Sequence, residues 1–256
     1  MKKDKINIGS CDFSKDGWYT LDKLCPHYSS RQNTIDIDHN LMSKNSIPLS
    51  DNSIKIAYSS HTIEHISDEY VQHLFDEVYR ILEPGGMFRV TCPDIDRCYQ
   101  AYMNDDREYI GNWLLNPVGK EKFKSHGLGE QFLFIFSSYL SPYRTHVTTS
   151  DLGQIKKYTE EEIGKIFREN TKTDALDFFT KECQEHARSI QGNYPGEHIS
   201  WWDYDKIKIF MERAGFKNVE KEHFNRSRSF ELIGFDHLNT DNNKCLNYTV
   251  FVEAQK

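Results

Sequence analysis

The sequence predicts an α/β fold with a mostly parallel sheet, and three observations support this fold class. Short apolar runs alternate with helical or loop segments through the first hundred residues. One amphipathic helix is marked clearly at both ends, and a second helix leads into two further strands near the carboxyl terminus. Such alternation is typical of parallel sheets, because each parallel connection has to cross back over a face of the sheet.

Five strands are predicted in this first part of the chain. Each is a short run of apolar or β-branched residues bounded by glycine, polar or acidic residues. Only eight residues separate Gly9 from Trp18, whereas a helical crossover needs about a dozen. The first connecting helix is therefore expected to be missing or reduced to a turn. The predicted strands are Lys5–Ile8, Trp18–Leu21, Thr34–Ile37, Ile54–Tyr58 and Met87–Thr91.

The clearest helix follows the fourth strand, in the string SDEYVQHLFDEVYRILEPGG. Ser67 is suited to the N-cap, and Asp68 and Glu69 suit the positive end of the helix dipole. Pro84-Gly85-Gly86 is expected to end the helix before the fifth strand. One apolar stripe at helical spacing predicts the buried face, formed by Val71, Leu74, Phe75, Val78, Ile81 and Leu82.

Residues 116–198 interrupt this rhythm and are predicted to be a largely helical insertion, with one helix around Glu160–Glu169. The string DYDKIKIFMERAGF then resumes the α/β pattern as a helix closed by Gly215. Two last strands are predicted at Phe216–Glu222 and Asn247–Glu253, the final one antiparallel. The expected organisation is a core of residues 1–115 and 199–256 that carries the insertion 116–198.

Composition argues against several classes of protein. The net charge is -7 with no basic block, so nucleic acid and membrane surfaces are not expected as partners. No apolar run approaches the length of a membrane span, and the start MKKDKINIG has no apolar leader core. The six cysteines form no C-x-x-C pair and are expected to be reduced thiols. A cytoplasmic protein without membrane insertion is the expectation.

Polar and small residues follow the predicted strands at the edge where open α/β sheets bind ligands. Gly9 allows close approach of the backbone to a ligand, and Asp22 is placed to accept hydrogen bonds from a ribose diol. Singly, each such residue is most often only part of a turn, but five strand ends in register carry more weight. The set is Gly9, Ser10, Cys11, Asp22, Asn40, Ser59, Ser60 and Asp94.

The string SSHTIEH contains the spacing H-x-x-E-H at His61, Glu64 and His65. Two histidines four apart on a helix can face one zinc ion, with the glutamate as a base. No third ligand is evident in the sequence, and the flanking strand is not explained by a zinc site. A zinc hydrolase is therefore kept only as a distant third interpretation, and no metal is expected.

Several strings together resemble the class I S-adenosylmethionine-dependent methyltransferases, in the short-N-terminus branch common among bacterial surface-polysaccharide enzymes. They are INIG, GWYTLD, TIDIDHNL, IPLSDNSIKIAYSSHTIEHI, LEPGGMFRV and CPDID, with HISWWDYDKIKIFMERAGF further on. The resemblance covers residues 5–97 and 198–217. It implies a Rossmann-like fold with helices on both faces of the sheet, and S-adenosyl-L-methionine as cofactor.

The resemblance also implies roles for individual residues. Gly9 and Ser10 would pass under the methionine end of the cofactor, and Asp22 would hold the ribose hydroxyls. Asn40 and Leu41 would flank the adenine, and Ser59 would lie near the sulfonium. Cys11 and Ser60 complete the predicted cofactor-binding residues. The family's second loop glycine is absent from the run Gly-Ser-Cys-Asp. A cofactor-binding homologue without transferase activity is accordingly the alternative to an enzyme.

In this register His61 sits just past the fourth strand, where the methyl group would be. Transfer to a hydroxyl benefits from a base that accepts its proton, which makes His61 the candidate base, and Asp94 a second base or orienter. Glu64 and His65 would anchor the turn. The alternative for His61 is a helix cap.

The insertion is expected to supply the acceptor pocket, because aromatic faces with polar tips suit a sugar. Arg144 could grip a phosphate. The alternative for Trp201 and Trp202 is packing in the core, and for FLFIF it is core or a dimer contact. The candidate acceptor residues are Tyr143, Arg144, His146, His198, Trp201 and Trp202.

The predicted function is O-methylation of a small sugar-like or nucleotide-linked acceptor in capsule or lipopolysaccharide biosynthesis. A phosphoramidate-type acceptor fits the same residues, and the sequence leaves a homodimer open.

Overall fold

A computed structural model describes residues 3–30, 34–113, 117–143, 155–238 and 246–256. Its strands are β1 Lys5–Ile8, β2 Trp18–Asp22, β3 Ile37–Asp38, β4 Ile54–Ser60, β5 Leu82–Pro93, β6 Lys217–Glu222 and β7 Thr249–Gln255. Its helices are α1 Asp68–Ile81, α2 Ile95–Met103, α3 Arg107–Gly111, α4 Pro117–Lys124, α5 Leu128–Phe136, α6 Glu160–Glu169, α7 Lys172–Ile190 and α8 Tyr204–Ala214.

The chain divides into two compact units. The first contains Met1–Cys92 and Asp203–Lys256, and the second contains Pro93–Trp202. The second unit thus includes the predicted insertion 116–198 together with residues 93–115.

The strands of the first unit form one sheet in the order β3-β2-β1-β4-β5-β7-β6. Neighbouring strands from β3 through β5 run parallel, and β7 pairs with β6 in the antiparallel direction. The order reverses between β1 and β4, which is the switch point at which such sheets bind ligands. This topology confirms the predicted Rossmann-like sheet with one antiparallel end.

Two of the predicted strands differ from the structure by three residues or more at their amino-terminal ends. The third strand is shorter and later than predicted, because Asp36 accepts hydrogen bonds from the Thr20 amide and hydroxyl at 2.8 and 2.9 Å. The fifth strand begins directly after α1, so that Pro84–Gly86 lie inside it. A register shift between Ile54 and Ile56 accommodates this early start.

One face of the sheet packs on α1 and α8. Phe75 of α1 meets Phe88 of β5 edge-to-face, with ring centroids 5.3 Å apart. Helix α1 follows Ser67, whose side chain makes no capping hydrogen bond, and Asp68 instead pairs with Lys206 of α8 at 2.7 Å. Gly215 ends α8 with a φ of 104°, in the left-handed region, as the sequence predicted.

The opposite face is covered by the β6–β7 connection, here called the 223–238 segment. Phe235 stacks on Trp18 at 4.5 Å between ring centroids and meets the Tyr58 ring edge-to-face at 4.8 Å. Phe13, from the β1–β2 connection, packs against both Trp18 and Phe235. Residues 9–17 contain no helix, which confirms that prediction, and the 223–238 segment shields this part of the sheet.

A buried ion network holds the 223–238 segment to the sheet. Arg89 of β5 is fully buried, and so are Asp236 and Glu253. The guanidinium donates to Asp236 at 2.5 and 3.0 Å and to Glu253 at 2.7 Å. Each charge has a close opposite charge and additional hydrogen bonds, which offsets part of the cost of removing it from water.

The second unit is a set of helices with an aromatic core. The string FLFIF lies in α5, and its rings contact Tyr102 and Phe167, among others. Helix α6 begins with a capping box in which the Thr159 hydroxyl accepts a hydrogen bond from the Glu162 amide. Among the helices that the structure describes, none is both long and apolar enough to cross a membrane.

Candidate active site

The parallel register brings the ends of four strands to one edge of the sheet. Ile8 at the end of β1 is aligned with Leu21 on one side and Ser59 on the other. Ser60 at the end of β4 is aligned with Thr91. The residues directly after β1, β2 and β4 therefore lie along the same carboxyl edge, where a ligand of this fold class binds.

Position 9 requires a glycine because the Thr62 side chain lies directly beside it. Its φ of 69° is in the left-handed region, and a Cβ placed there would lie 2.2 Å from Oγ1 and 2.5 Å from Cγ2 of Thr62. Thr62 therefore fills the space beside Gly9. The sequence explained this glycine by close approach of a ligand and missed Thr62, because threonine after a strand carries no distinctive signal.

Asp22 fastens the short β1–β2 connection. Its Oδ2 accepts a hydrogen bond from the Cys11 amide at 2.8 Å, and its Oδ1 accepts one from the Lys23 amide at 2.7 Å. Cys11 is itself in the left-handed region, with a φ of 46°. A carboxylate oxygen has two lone-pair sites, so Asp22 retains acceptor capacity for a ribose diol.

Two serine hydroxyls at this edge are buried and have no hydrogen-bond partner within the described residues. They are Ser10 Oγ, just after β1, and Ser59 Oγ, near the end of β4. Buried hydroxyls are normally paired, and leaving one unpaired costs about 1–3 kcal/mol. Both groups could donate to or accept from a polar ligand. The neighbouring Ser60 differs, because its Oγ accepts a hydrogen bond from the Thr91 hydroxyl at 2.6 Å.

Asn40 and Leu41 follow β3 in a turn. The Asn40 side-chain oxygen accepts a hydrogen bond from the Met42 amide at 3.1 Å, and Asn40 is exposed. This explains Asn40 as a turn residue and leaves its amide group accessible. The predicted adenine contacts of both residues stay predictions.

His61 is fixed at three points. Its backbone amide donates to the Thr91 carbonyl at 2.8 Å, although its φ of 50° is unusual for a residue with a side chain. Nδ1 lies 3.2 Å from Oε1 of Glu64, and Nε2 lies 3.3 Å from Oγ1 of Thr249. Thr249 begins β7, and no local sequence signal could have linked it to a histidine so far away in the chain.

The H-x-x-E-H string does not have the helical geometry that a zinc motif uses. His61 is in the left-handed region, a short 3₁₀ turn covers Ile63–His65, and α1 begins only at Asp68. Glu64 is buried, and its Oε1 lies between the two imidazoles, 3.9 Å from His65 Nε2. The expected turn-anchoring role of Glu64 and His65 agrees with this placement.

Asp94, the second candidate base, lies in the second unit. It is buried at the N-cap of α2, where its Oδ1 accepts a hydrogen bond from the Arg97 amide at 3.4 Å. The sequence anticipated only its position after the fifth strand. Its catalytic role stays a prediction.

The predicted acceptor residues of the second unit are largely engaged within it. Tyr143 packs against Phe123 and Phe134 and is buried. Trp202 is fully buried, and Trp201 donates from Nε1 to Asp177 at 2.7 Å. These contacts favour the packing alternative for the two tryptophans. The predicted Arg144 and His146 lie outside the described residues.

The His198 side chain is less buried than those of Trp201 and Trp202. Its Nδ1 lies 2.6 Å from the Ile135 carbonyl, and its amide donates to the Ser138 hydroxyl at 3.0 Å. A carbonyl oxygen can only accept, so Nδ1 carries the proton and Nε2 is the basic nitrogen. The imidazole is only partly buried, and its predicted acceptor role stays a prediction.

Residues 14–90 match a family model described as a methyltransferase domain. The matched stretch runs from the β1–β2 connection into β5 and contains Asp22, Asn40, Ser59 and His61. Over these residues the chain resembles a methyltransferase domain. The match agrees with the predicted cofactor, S-adenosylmethionine. The surface-polysaccharide branch stays a prediction. No curated protein sequence matches the chain.

Solved structures of methyltransferases resemble the chain only remotely. A SAM-dependent methyltransferase from Archaeoglobus fulgidus is 11% identical, with 100% of this chain and 86% of that chain covered and a TM-score of 0.43. One from Mesorhizobium loti is 14% identical over 98% and 90%, with a TM-score of 0.41. A phosphoethanolamine N-methyltransferase from Haemonchus contortus is 13% identical over 100% and 49%, at 0.40. Similarity this low assigns no activity to the chain.

The residues at the carboxyl edge fit S-adenosylmethionine. The carboxylate of Asp22 can accept from the ribose hydroxyls. The unpaired hydroxyls of Ser10 and Ser59 match the charged amino-acid end, which offers both donors and acceptors.

Proposed function

We propose that the protein is an S-adenosylmethionine-dependent O-methyltransferase that acts on a small sugar-like or nucleotide-linked acceptor. The observation that supports this proposal is the placement of His61 directly after β4, on the edge that carries Asp22 and the two unpaired serine hydroxyls. A methyl donor held by those groups would lie close to the His61 imidazole, whose Nε2 lies 3.3 Å from the Thr249 hydroxyl.

In this proposal the cofactor supplies a methyl carbon that leaves sulfur while the bonding electron pair stays on sulfur. Asp22 would hold the ribose, and Ser10 and Ser59 would hold the amino-acid end. His61 would accept the proton of the acceptor hydroxyl. A hydroxyl is a poor nucleophile near neutral pH, and a positioned base contributes about 10²–10⁴-fold to such a step.

The acceptor class is proposed from the sequence resemblance to surface-polysaccharide enzymes. The acceptor role of His198 rests on the same resemblance. Synthesis of capsule or lipopolysaccharide precursors in the cytoplasm, and a homodimeric state, belong to the same proposal.

The first experiment measures cofactor binding by calorimetry with S-adenosylmethionine and its demethylated product. Asp22→Asn is expected to weaken binding about 10–100-fold, because it removes a charged acceptor worth about 1.5–3 kcal/mol. Asp16→Asn, an exposed residue of the same β1–β2 connection, is the matched control and should bind like the wild type. Equal affinity in the two variants would contradict the assigned cofactor site.

The second experiment identifies the acceptor. Labelled cofactor is offered with a panel of nucleotide-activated sugars, and the products are identified by mass. Transfer to a sugar hydroxyl supports the proposal, and transfer only to a nitrogen acceptor would overturn the O-methyl assignment.

A non-catalytic cofactor binder is the second candidate. Two observations favour it: Thr62 fills the space beside Gly9, and two backbone amides already donate to Asp22. The variant His61→Ala separates the candidates. An enzyme should keep cofactor affinity in this variant and lose turnover, whereas a binder shows no turnover in the wild type either.

A further inference from the structure

The 223–238 segment carries apolar side chains on both of its sides. A 3₁₀ turn covers Phe230–Leu232, and the Ile233 amide donates to the Phe230 carbonyl at 3.4 Å. Side chains three residues apart lie on the same side of such a turn. Leu232 and Phe235 pack on the sheet and are buried. Phe230 and Ile233 are instead 89% and 57% exposed, and together they are here called the Phe230 patch.

The backbone beneath the Phe230 patch is tied down on both sides of the turn. The Asn225 amide donates to Asp236 at 2.7 Å, and the Gly234 amide donates to the Asn225 carbonyl at 2.9 Å. Asp236 is itself held by the fully buried guanidinium of Arg89. The patch is therefore preorganised, and a partner that binds it would not have to order this backbone first.

The Phe230 patch lies on the side of the sheet that has the thinner cover. Helices α1 and α8 pack on one face, whereas the 223–238 segment and the short β1–β2 connection cover the other in the described part of the chain. Parallel sheets are normally covered on both faces by helices whose outer sides are polar. An exposed aromatic ring beside an exposed aliphatic side chain is instead typical of the centre of a protein interface.

Charge favours a second copy of the chain as the partner over a membrane. The net charge of -7 opposes attachment to an anionic bilayer. The 223–238 segment carries both signs at its surface. Glu231 is exposed although it pairs with Lys5 at 2.7 Å, and the exposed Arg226 has no ion pair among the residues that the structure describes. A two-fold contact presents the same surface from both sides, so it needs a surface that is complementary to itself.

We propose that the Phe230 patch is the contact through which two copies of the chain associate about a two-fold axis. This inference rests on the homodimeric state included in the proposed function and gives that dimer its surface. Phe230 of one protomer packs against the partner's Phe230 and the partner's Ile233. Arg226 faces the partner's Glu231, and this pair at the rim fixes the register more than it adds affinity.

Sedimentation equilibrium of the full chain without cofactor measures the dimer directly. Wild-type protein is expected to dimerise. Phe230→Asp should weaken the dimer at least about 30-fold, because it removes the aromatic anchor and places a charge at the centre of the contact. Ile209→Asp, at an exposed apolar position of α8, is the matched control and should dimerise like the wild type. Circular dichroism should show both variants folded, since both side chains are exposed.

A second variant tests the charges at the rim. Arg226→Glu sets like charges against the partner's Glu231 and should weaken the dimer about 3-fold. A tighter dimer in this variant would contradict the two-fold pairing.

The remaining outcomes are decisive for the surface and its partner. Wild-type protein that stays monomeric at its highest soluble concentration overturns the inference, and so does a dimer that Phe230→Asp leaves unchanged. Flotation with vesicles of phosphatidylglycerol and phosphatidylcholine tests the other occupant. Vesicle binding by a monomeric wild type that is lost in Phe230→Asp would assign the patch to a membrane and overturn the inference.

These measurements are independent of methyl transfer. Failure of the wild type to bind S-adenosylmethionine or to transfer methyl overturns the proposed reaction, and the sedimentation result stands alone. A monomeric protein that transfers methyl overturns the proposed contact and leaves the role of His61 intact.

Discussion

The close approach of Thr62 to Gly9 predicts that Gly9→Ala strongly lowers the free energy of unfolding. A backbone contribution and a packing contribution add up to this loss, and each can be measured separately. The φ of 69° at Gly9 costs a residue with a Cβ about 1–2 kcal/mol. The new Cβ would also lie 2.2, 2.5 and 2.9 Å from three side-chain atoms of Thr62, which is closer than atoms pack. Relieving such overpacking costs about 1–3 kcal/mol, so the sum is about 2–5 kcal/mol.

A second glycine separates these two terms. Gly17, at the other end of the β1–β2 connection, has a φ of 82° and no atom within 4 Å of an added Cβ. Gly17→Ala should therefore cost only the backbone term, about 1–2 kcal/mol. Urea unfolding at fixed pH measures the free energy of unfolding for both variants. Gly9→Ala should be less stable than Gly17→Ala by about 1–3 kcal/mol.

A double-mutant cycle tests the cause directly. Thr62→Ala removes the two nearest atoms and leaves only the contact at 2.9 Å. In the Gly9→Ala background it should recover about 1 kcal/mol or more, as residues in contact usually couple by about 0.5–3 kcal/mol. Equal stabilities for Gly9→Ala and Gly17→Ala, or no coupling with Thr62, would refute the reasoning.

Three further predictions concern stability. Arg89→Met should cost about 3–5 kcal/mol in urea unfolding, because the buried carboxylates of Asp236 and Glu253 both lose the Arg89 guanidinium. Burial raises the pKa of Glu77, but hydrogen bonds from Arg80 and a backbone amide outweigh burial, so its pKa lies below the usual value. Ionised Glu77 therefore stabilises the folded state above the unfolded-state pKa of about 4.3, and this stabilisation is lost as the pH falls. In Glu77→Gln the free energy of unfolding should fall less steeply over that pH range. Thr159→Ala should cost about 1 kcal/mol by removing the cap of α6.

Each of these has a control in the same protein. Arg107→Met breaks an exposed ion pair and should cost less than about 1 kcal/mol, so a similar cost at both arginines would contradict the buried network. Glu121→Gln, at an exposed site, should leave the slope of stability against pH unchanged. Thr173→Ala lies inside a helix at an exposed position and should be nearly neutral, unlike the change at the cap.

Sequence patterns predicted the strands and helices that are determined by residues close together in the sequence. The strands β1, β2 and β4 follow from short apolar runs, and α1 follows from its apolar stripe. Gly215 ends α8 as expected, because ending a helix in this way needs only one residue that adopts the left-handed conformation. The missing first helix could be predicted from chain length alone, since residues 9–17 are too few for a crossover.

Features that depend on distant parts of the chain could not be predicted in this way. Thr249 reaches His61 only because β7 lies beside β5 in the sheet. Likewise, the 223–238 segment covers the sheet because Arg89 finds Asp236 there, and no spacing in the sequence connects the two. At the candidate site, the strand ends were predicted, whereas Thr62 and the hydrogen bonds of Asp22 were not.

The cover over Trp18 and Tyr58 has a consequence for biosynthesis. Strands β1, β2 and β4 are synthesised before the side chains that shield Trp18 and Tyr58, because those side chains belong to Leu232 and Phe235. A nascent chain thus exposes these aromatic side chains on an incomplete sheet until Phe235 has been synthesised. Chains released before Phe235 should be retained by chaperones or aggregate, and native structure should form only after Phe235 has been synthesised.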